Sequence, residues 1–376
     1  MLLFWGSAAV LAWTYVGYAL ALARTVRRQS LPEPAATPSG ASTSTVSVVI
    51  AAKNESARIA GKLEQLLDQN CDLIREIIVV CDHCTDDTAE IVGRFAAQGV
   101  RAVLLPEGHA GKGAAVNAGV AQASGELILF NDVRQSLSPD AVRRLAAWFD
   151  DPANGAVSGS LEIQSSAQGS GKGLDAYWSI EKRIRHHESQ LDSSIGCTGA
   201  IYMVRRSLYR PIPHDTILDD VVIPMLIAEQ GFRVRFDPEA RAFDPQPLTG
   251  AQEARRKKRT LAGNFQMLFR HPRWLLPWRH RLWFKLISHK YLRVLSPFFL
   301  AVCVVASFGL LHRPFFQLAL AGQLALGVLA VVGLAIPGLR ARIFTLPAAF
   351  LLLQWSVVRG FAFWLSMGMR GQQGWK

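Results

Sequence analysis

Cysteine and acidic residues are scarce in this sequence, and charge of either sign is dilute. Five cysteines among 376 residues are too few for a disulfide framework, which excludes a small disulfide-stapled secreted module. Charged residues make up 19% and apolar residues 50%, which excludes a globally disordered chain. Acids are scarcest in residues 251–293, which contain 12 Lys and Arg and a single acid, Glu253. This stretch therefore supplies most of the formal net charge of +12.

The longest charge-free stretches predict membrane helices. Residues 1–23 carry no charge, and a bilayer requires about 20 apolar residues. Three arginines follow at 24–28, whereas a cleaved signal peptide would carry its positive charge in front, so we expect a retained anchor with its N-terminus outside. Further spans are predicted at 294–311, 315–336 and 343–367. Buried helices of a soluble core are the alternative.

Composition divides the chain into five parts. They are a membrane helix at 1–23, a Pro/Ser/Thr-rich linker at 24–45, a globular domain at 46–270, a basic and aromatic segment at 271–293, and a membrane region at 294–376. The basic segment interleaves Arg and Lys with Trp just before a span, so we expect it to contact anionic lipid. Nucleic acid could use the same composition, but the adjacent membrane favours lipid, and we expect no nucleic-acid partner.

Short apolar runs alternate with helical periodicity in the globular domain. Strands are predicted at 46–52, 76–81, 100–105 and 126–130, and helices at 55–69, 86–98, 112–123 and 138–149. This alternation predicts an α/β fold with an open, mostly parallel sheet.

Polar residues follow the predicted strands at the point where each ends. Lys53-Asn54-Glu55 follows the first strand, Asp82 the second and Asp132 the fourth. Ligands bind at the carboxyl ends of strands in such sheets, so we expect these side chains to converge. A glycine-flanked Lys112 could add a positive charge for a nucleotide diphosphate. Taken one at a time, a capping Asp or a turn glycine explains each signal equally well.

The motifs in their order resemble the processive-type branch of family 2 glycosyltransferases. They are VSVVIAAKNES, VVCDHCTDDT, GKGAAVNAG, LILFNDVRQ, GCTGAIYMVRR and TILDDVVIPMLIAEQGFRVRFDPEARA. The resemblance covers about residues 46–270, and the surrounding spans match polysaccharide-synthase-like members. It implies the GT-A fold, which is Rossmann-like with a mostly parallel sheet, and a membrane-bound inverting hexosyltransferase of family 2.

The resemblance also assigns the donor side of a site. Asp82 matches the acid that binds the base or ribose, and Asp132 matches the first acid of the DXD motif, which positions the nucleotide sugar and a divalent cation, Mg²⁺ or Mn²⁺. Arg134 stands where the second acid usually is, so another carboxylate completes the metal site or Arg134 takes over part of its charge neutralisation. The predicted nucleotide-sugar site is Lys53, Asn54, Glu55, Asp82, Lys112, Asp132 and Arg134, with Asp132 as metal ligand.

The acceptor side follows from the same resemblance. Asp219-Asp220 matches the acidic pair whose second member is the catalytic base, so Asp220 is predicted as the base and Asp219 as its substitute. Alternatively, both acids merely favour the start of a helix at 221–230. Small residues in GCTGA, namely Gly196, Cys197 and Gly199, resemble the acceptor loop.

Downstream of the base, the sequence departs from the family's Gln-x-x-Arg-Trp motif. Gln252 is followed by a basic run in which the tryptophan is absent, and Arg255, Arg256 or Arg259 could neutralise the leaving diphosphate. A solvated basic helix is the alternative interpretation of these arginines. The missing tryptophan argues against processive synthesis more than against sugar transfer itself.

These observations predict a multi-pass protein of the inner membrane with a cytoplasmic catalytic domain. We expect it to move a sugar from a nucleotide sugar, with a UDP-sugar as the expected donor, to a lipid-linked or growing glycan in envelope or exopolysaccharide synthesis. A processive synthase that extrudes its polymer, and a catalytically silent membrane scaffold that binds a nucleotide sugar, are the alternatives.

Overall fold

The computed structural model describes residues 1–29, 44–69, 72–108, 110–163, 172–244, 250–336, 339 and 341–370. Its centre is one eight-stranded sheet. The strands are β1 (Val46–Ala52), β2 (Ile74–Cys81), β3 (Val100–Leu104), β4 (Leu127–Asn131), β5 (Ser136–Leu137), β6 (Asn154–Ile163), β7 (Ile201–Arg205) and β8 (Arg233–Asp244). Their order is β3-β2-β1-β4-β7-β6-β8-β5.

The sheet changes character halfway across. Strands β3, β2, β1 and β4 pair in parallel, β7 pairs antiparallel to β4 and to β6, and β6 and β8 are parallel again. The predicted α/β fold with a mostly parallel sheet is confirmed, and β1 to β4 match the predicted strands within a few residues. Ala52 at the end of β1 is paired with Cys81 at the end of β2. The polar residues that follow the two strands therefore lie at the same edge of the sheet.

Helices cover both faces of the sheet and extend into the apolar part of the chain. They are α1 (Leu2–Ala12), α2 (Tyr18–Val26), α3 (Ser56–Leu67), α4 (Thr88–Gly93), α5 (Lys112–Gln122), α6 (Ala141–Ala147), α7 (Lys172–Leu191), α8 (Asp219–Glu229), α9 (Gly250–Arg270), α10 (Trp283–Leu286), α11 (Leu292–Gly309), α12 (Pro314–Ala335) and α13 (Arg342–Arg370). Short π-helical turns join α1 to α2 and α10 to α11.

The alternating side chains of β1 enter two separate cores. Val49 packs with α5 and α8 on one face, whereas Val48 and Ile50 pack with α3 on the other. Both faces of this strand are therefore buried, which is why its sequence is a continuous apolar run.

Four helical stretches in the described part of the chain are long and apolar enough to cross a membrane. They are Leu2–Val26, Trp283–Gly309, Pro314–Ala335 and Arg342–Met367, one N-terminal and three C-terminal as predicted. The second begins at Trp283 rather than at the predicted residue 294, so it includes part of the segment expected to lie in the interface.

The C-terminal half of α13 packs against α9 of the globular domain. Phe269 stacks on Trp364 with ring centroids 4.6 Å apart, and Phe265 contacts the same tryptophan ring. A Cβ on Gly360 would lie 2.6 Å from the Cβ of Leu261, so glycine allows the two helices to approach closely. The membrane helices and the sheet domain therefore share a packed interface.

Candidate active site

Lys112 stands between two of the predicted acids. It is the first residue of α5, and its Nζ lies 3.1 Å from Asp132 Oδ1 and 3.3 Å from Asp219 Oδ2. Burial lowers the pKa of Lys112, but the three nearby carboxylates outweigh it and the pKa is raised overall. Lys112 is thus a fixed cation that joins the end of β4 to the start of α8.

Asp82 lies on the same sheet edge and is completely buried. Its Oδ2 accepts the N–H of Gly111, 3.2 Å away, and lies 3.6 Å from Lys53 Nζ. Because Gly111 directly precedes Lys112, all of these acids meet around one short turn. The structure therefore brings Lys53, Asp82, Lys112, Asp132 and Asp219 together.

Asn54 and Glu55 connect the loops after β1 and β2. Asn54 has a left-handed backbone with φ of 55°, and its Oδ1 accepts the N–H of Thr85 at 2.8 Å. The Glu55 N–H donates to Thr88 Oγ1 at 2.9 Å, and the Glu55 carboxylate pairs with Arg58. Both residues fix the shape of the edge, and their side-chain partners are protein groups.

Asp219 and Asp220 open α8 but lie in different surroundings. Asp219 is 3% exposed and is paired with Lys112. Burial raises the pKa of Asp219 to about 6, against the lowering effect of Lys112. Asp220 is half-buried, and its Oδ2 accepts the N–H of Gly199 at 2.9 Å. Of the two, Asp220 has the more accessible carboxylate.

The predicted acceptor loop lies directly against Asp220. The N–H of Cys197 donates to the main-chain carbonyl of Asp220 at 2.7 Å, and a Cβ on Gly199 would lie 3.3 Å from Asp220 Oδ2. The hydrogen bonds from Cys197 and Gly199 both tie the loop to the start of α8. Cys197 is buried, and burial raises the pKa of its thiol above the ordinary value, so it is a packing residue rather than a nucleophile.

Arg134 pairs with an acid at the end of β8. Its Nε donates to Asp244 Oδ1 at 2.7 Å, and the Asp244 carboxylate is 4% exposed. Arg256 of α9 lies 3.9 Å from the other oxygen of Asp244. The arginine in the position of the second DXD acid is therefore joined to the basic helix through a buried acid.

The remaining predicted arginines lie on α9. Arg255 is exposed and Arg259 is half-buried. Among the described residues, no ion pair or hydrogen bond joins either of them to Lys112 or to the aspartates around it. Their predicted role toward the diphosphate stays a prediction.

The residues present can hold a divalent cation only with help from a substrate. No group of three or more His, Cys, Asp or Glu side chains suited to a metal occurs in the described part of the chain. Asp132 is nevertheless open, with 42% of its side chain exposed. Mg²⁺ is commonly held by one or two carboxylates together with substrate phosphates, and a single Asp132 fits that arrangement.

The two glycines around Lys112 make room for a protein loop. A Cβ on Gly113 would lie 2.6 Å from the carbonyl oxygen of Pro213, and one on Gly111 would lie 3.0 Å from that of His214. The space beside Gly113 is therefore filled by a neighbouring loop of the protein.

Asn117, one turn further along α5, holds the same loop in place. Its Nδ2 donates to the Ile212 carbonyl at 2.7 Å, and its Oδ1 accepts the N–H of Ile212 at 3.0 Å. The loop that leads to α8 is therefore fixed to the helix that carries Lys112.

Several side chains around the site were not singled out in the sequence. Asp244 accepts a hydrogen bond from Arg134, and Glu188 accepts the N–H of Ile195 just before the predicted acceptor loop. Tyr202 on β7 is completely buried, and within the described residues its hydroxyl has no hydrogen-bond partner. The surroundings of all three are made by the tertiary fold, so no local pattern marks them.

A sequence model of glycosyl transferase family 2 matches residues 47–212. This part of the chain is similar to glycosyl transferase family 2. The match contains Asp82, Lys112 and Asp132 and ends before Asp219 and Asp220.

Similar curated proteins are bacterial polysaccharide synthases. The poly-beta-1,6-N-acetyl-D-glucosamine synthases of Staphylococcus aureus (strain COL) and Staphylococcus epidermidis are 24% and 25% identical over 230 residues. The alignments cover 60% of this chain, which spans about half, 56%, of the length of these relatives.

A solved structure with a similar fold is the mannosyltransferase PcManGT from Pyrobaculum calidifontis, in complex with GDP-Man and Mn²⁺. The TM-score is 0.69 at 20% identity, and the alignment covers 96% of this chain and 99% of that one. The domain therefore has the GT-A fold, as predicted.

Proposed function

We propose that this protein is a family 2 glycosyltransferase that transfers a sugar, with inversion, from a nucleotide sugar to a lipid-linked or growing glycan at the cytoplasmic face of the membrane. The observation that carries the proposal is Lys112, which joins Asp132 to Asp219 beside the half-buried Asp220. Envelope or exopolysaccharide synthesis is the setting, because the similar curated proteins are polysaccharide synthases.

Asp220 is the better candidate for the general base. Asp219 is buried and already paired with Lys112, so a proton taken by it would weaken that ion pair. In Asp220, Oδ2 is held by the Gly199 N–H, and Oδ1 accepts no hydrogen bond from the described residues. A carboxylate oriented through one oxygen can take a proton on the other.

The reaction assigned to Asp220 is a single displacement at the anomeric carbon. The acceptor oxygen forms a bond to the anomeric carbon while the bond from that carbon to the diphosphate oxygen breaks. The acceptor proton goes to Asp220, and the electron pair leaves with the nucleoside diphosphate. Lys112 places a positive charge beside the acids on the donor side, where the diphosphate charge develops.

On the donor side, the buried Asp82 would orient Lys53 toward the nucleoside, and Asp132 would hold the divalent cation. When bound, such an ion neutralises charge on the diphosphate. N-acetylglucosamine, carried by UDP, is the sugar to test first, because it appears in the names of the staphylococcal relatives. GDP-mannose, the ligand of PcManGT, is the natural second donor.

The test measures nucleoside diphosphate release by the full chain in lipid nanodiscs with UDP-N-acetylglucosamine, UDP-glucose and GDP-mannose, with and without Mn²⁺. Asp220→Asn should lower release by about 10²–10⁴-fold while the affinity for the nucleoside diphosphate stays within about twofold. Asp215→Asn is the matched control, because Asp215 precedes the same helix but pairs with Arg270. Release that is undiminished in Asp220→Asn would remove Asp220 from the reaction.

A further inference from the structure

A buried cluster of charges joins the membrane helices to the sheet domain. His289 lies in the membrane helix that begins at Trp283, and its side chain is fully buried between Glu181 and Glu188 of α7. Nδ1 lies 2.9 Å from Glu188 Oε1, and Nε2 lies 3.0 Å from Glu181 Oε1. Each ring nitrogen of His289 therefore has its own carboxylate partner on α7.

The surroundings of the two glutamates favour their ionised state. Burial raises the pKa of each, but His289 and the nearby cations outweigh it and hold both pKa values below the ordinary one. Arg293 lies 2.6 Å and Arg185 3.4 Å from Glu181. Lys285 donates to the main-chain carbonyl of Glu188 at 2.9 Å. The two buried carboxylates are therefore compensated by neighbouring cations.

The two oxygens of Glu188 face different parts of the molecule. Oε1 accepts the hydroxyl of Tyr18 at 2.6 Å and the His289 N–H, both from membrane helices. Oε2 accepts the N–H of Ile195 at 3.1 Å. Ile195 precedes the loop whose Cys197 and Gly199 N–H groups hold Asp220. One carboxylate thus connects two membrane helices with the backbone around the proposed base.

We propose that Glu188 is a positioning residue that lets the membrane helices hold Ile195 and the predicted acceptor loop that follows it, residues 196–200, and through this loop Asp220. The expected effect on turnover rests on the proposed function. The expected effect on the loop can be measured without enzymatic activity. Glu181 provides the comparison, since it shares His289 and burial with Glu188, but its carboxylate pairs with His289, Arg293 and Arg185 rather than with the loop.

The experiment compares Glu188→Gln with Glu181→Gln in the full chain in nanodiscs. In Glu188→Gln we expect about 10- to 100-fold slower turnover of the donor hydrolysed by the wild type, with UDP affinity within about twofold, because a charge-assisted hydrogen bond is lost. Amide hydrogen exchange of residues 195–200 should rise. In Glu181→Gln, folded protein should keep near-wild-type turnover and exchange in that loop.

Tyr18→Phe removes only the hydroxyl that donates to Glu188. It replaces Glu188→Gln in the experiment if that variant does not fold. We expect faster exchange at 195–200 and about threefold slower turnover in it. Equal effects of the two glutamate variants on the loop, or an unchanged loop in both Glu188→Gln and Tyr18→Phe, would overturn the proposal. A wild type without activity on any donor would instead count against the proposed function, and loop exchange would still test Glu188.

Discussion

Lys112 Nζ lies 3.1 Å from Asp132 Oδ1, so a fixed cation stands beside the predicted metal ligand. In Lys112→Met we expect affinity for UDP to fall about 10- to 100-fold, because an ammonium that would face the diphosphate is replaced by an apolar chain. Isothermal titration with UDP, with and without Mn²⁺, measures the change. Lys182→Met, which breaks the pair with Glu162, is the control and should leave UDP affinity unchanged.

The buried Asp219 predicts a pH dependence of stability. Its pKa of about 6 in the folded state lies above the value of about 3.9 in an unfolded chain. The folded state therefore binds more protons than the unfolded state between these values, and the free energy of unfolding should fall as pH rises from about 4 to about 6.

Thermal unfolding in detergent between about pH 4 and pH 7 measures this slope. Asp219→Asn cannot titrate and should flatten it over that range. A slope of the same size in the variant and the wild type would contradict a raised pKa at Asp219.

Gly113 is predicted to tolerate no side chain. Its Cβ would lie 2.6 Å from the Pro213 carbonyl oxygen, and main-chain atoms cannot move away without shifting the loop. Gly113→Ala should lower the free energy of unfolding by about 1–3 kcal/mol, which thermal unfolding would detect. Gly93→Ala in α4, where nothing lies within 4 Å of the added Cβ, should be neutral or slightly stabilising.

The buried Asp244 should matter more than an exposed acid of the same strand. Asp244→Asn removes the carboxylate charge with which Arg134 pairs, so we expect a loss of about 1–3 kcal/mol in the free energy of unfolding. Glu239→Gln, which weakens an exposed pair with Arg241, should change it by less than about 1 kcal/mol. Equal losses in the two variants would show that burial of Asp244 has no consequence.

The parallel half of the sheet could be predicted from the sequence because its strands are buried on both faces. Continuous apolar runs mark β1, β2 and β4, and the polar residues after them converge as expected. The predicted helix at 86–98 is instead α4, Thr88–Gly93, followed by a separate 3₁₀ turn at Ala96–Gln98. Local periodicity does not reveal where such a helix is interrupted.

The connections within the site were beyond sequence reasoning. Arg134 and Asp244 are 110 positions apart, and His289 and Glu188 are 101 apart. Each pair forms only when the chain has folded, and a lone Glu or His in a helix has many ordinary explanations. The family resemblance supplied Asp82, Asp132 and Asp220, whereas the residues that orient them emerged from the three-dimensional contacts.

The stacking of Trp364 on Phe269 bears on how this protein can be prepared. Phe265 is only 5% exposed in the whole chain, and its ring neighbours Phe361 and Trp364 both belong to α13. A recombinant fragment that ended after α9 would expose the aromatic side chains of α9 to solvent, and such exposed apolar surface promotes aggregation. We therefore expect protein that retains α13 to be more monodisperse after purification than a fragment that lacks it.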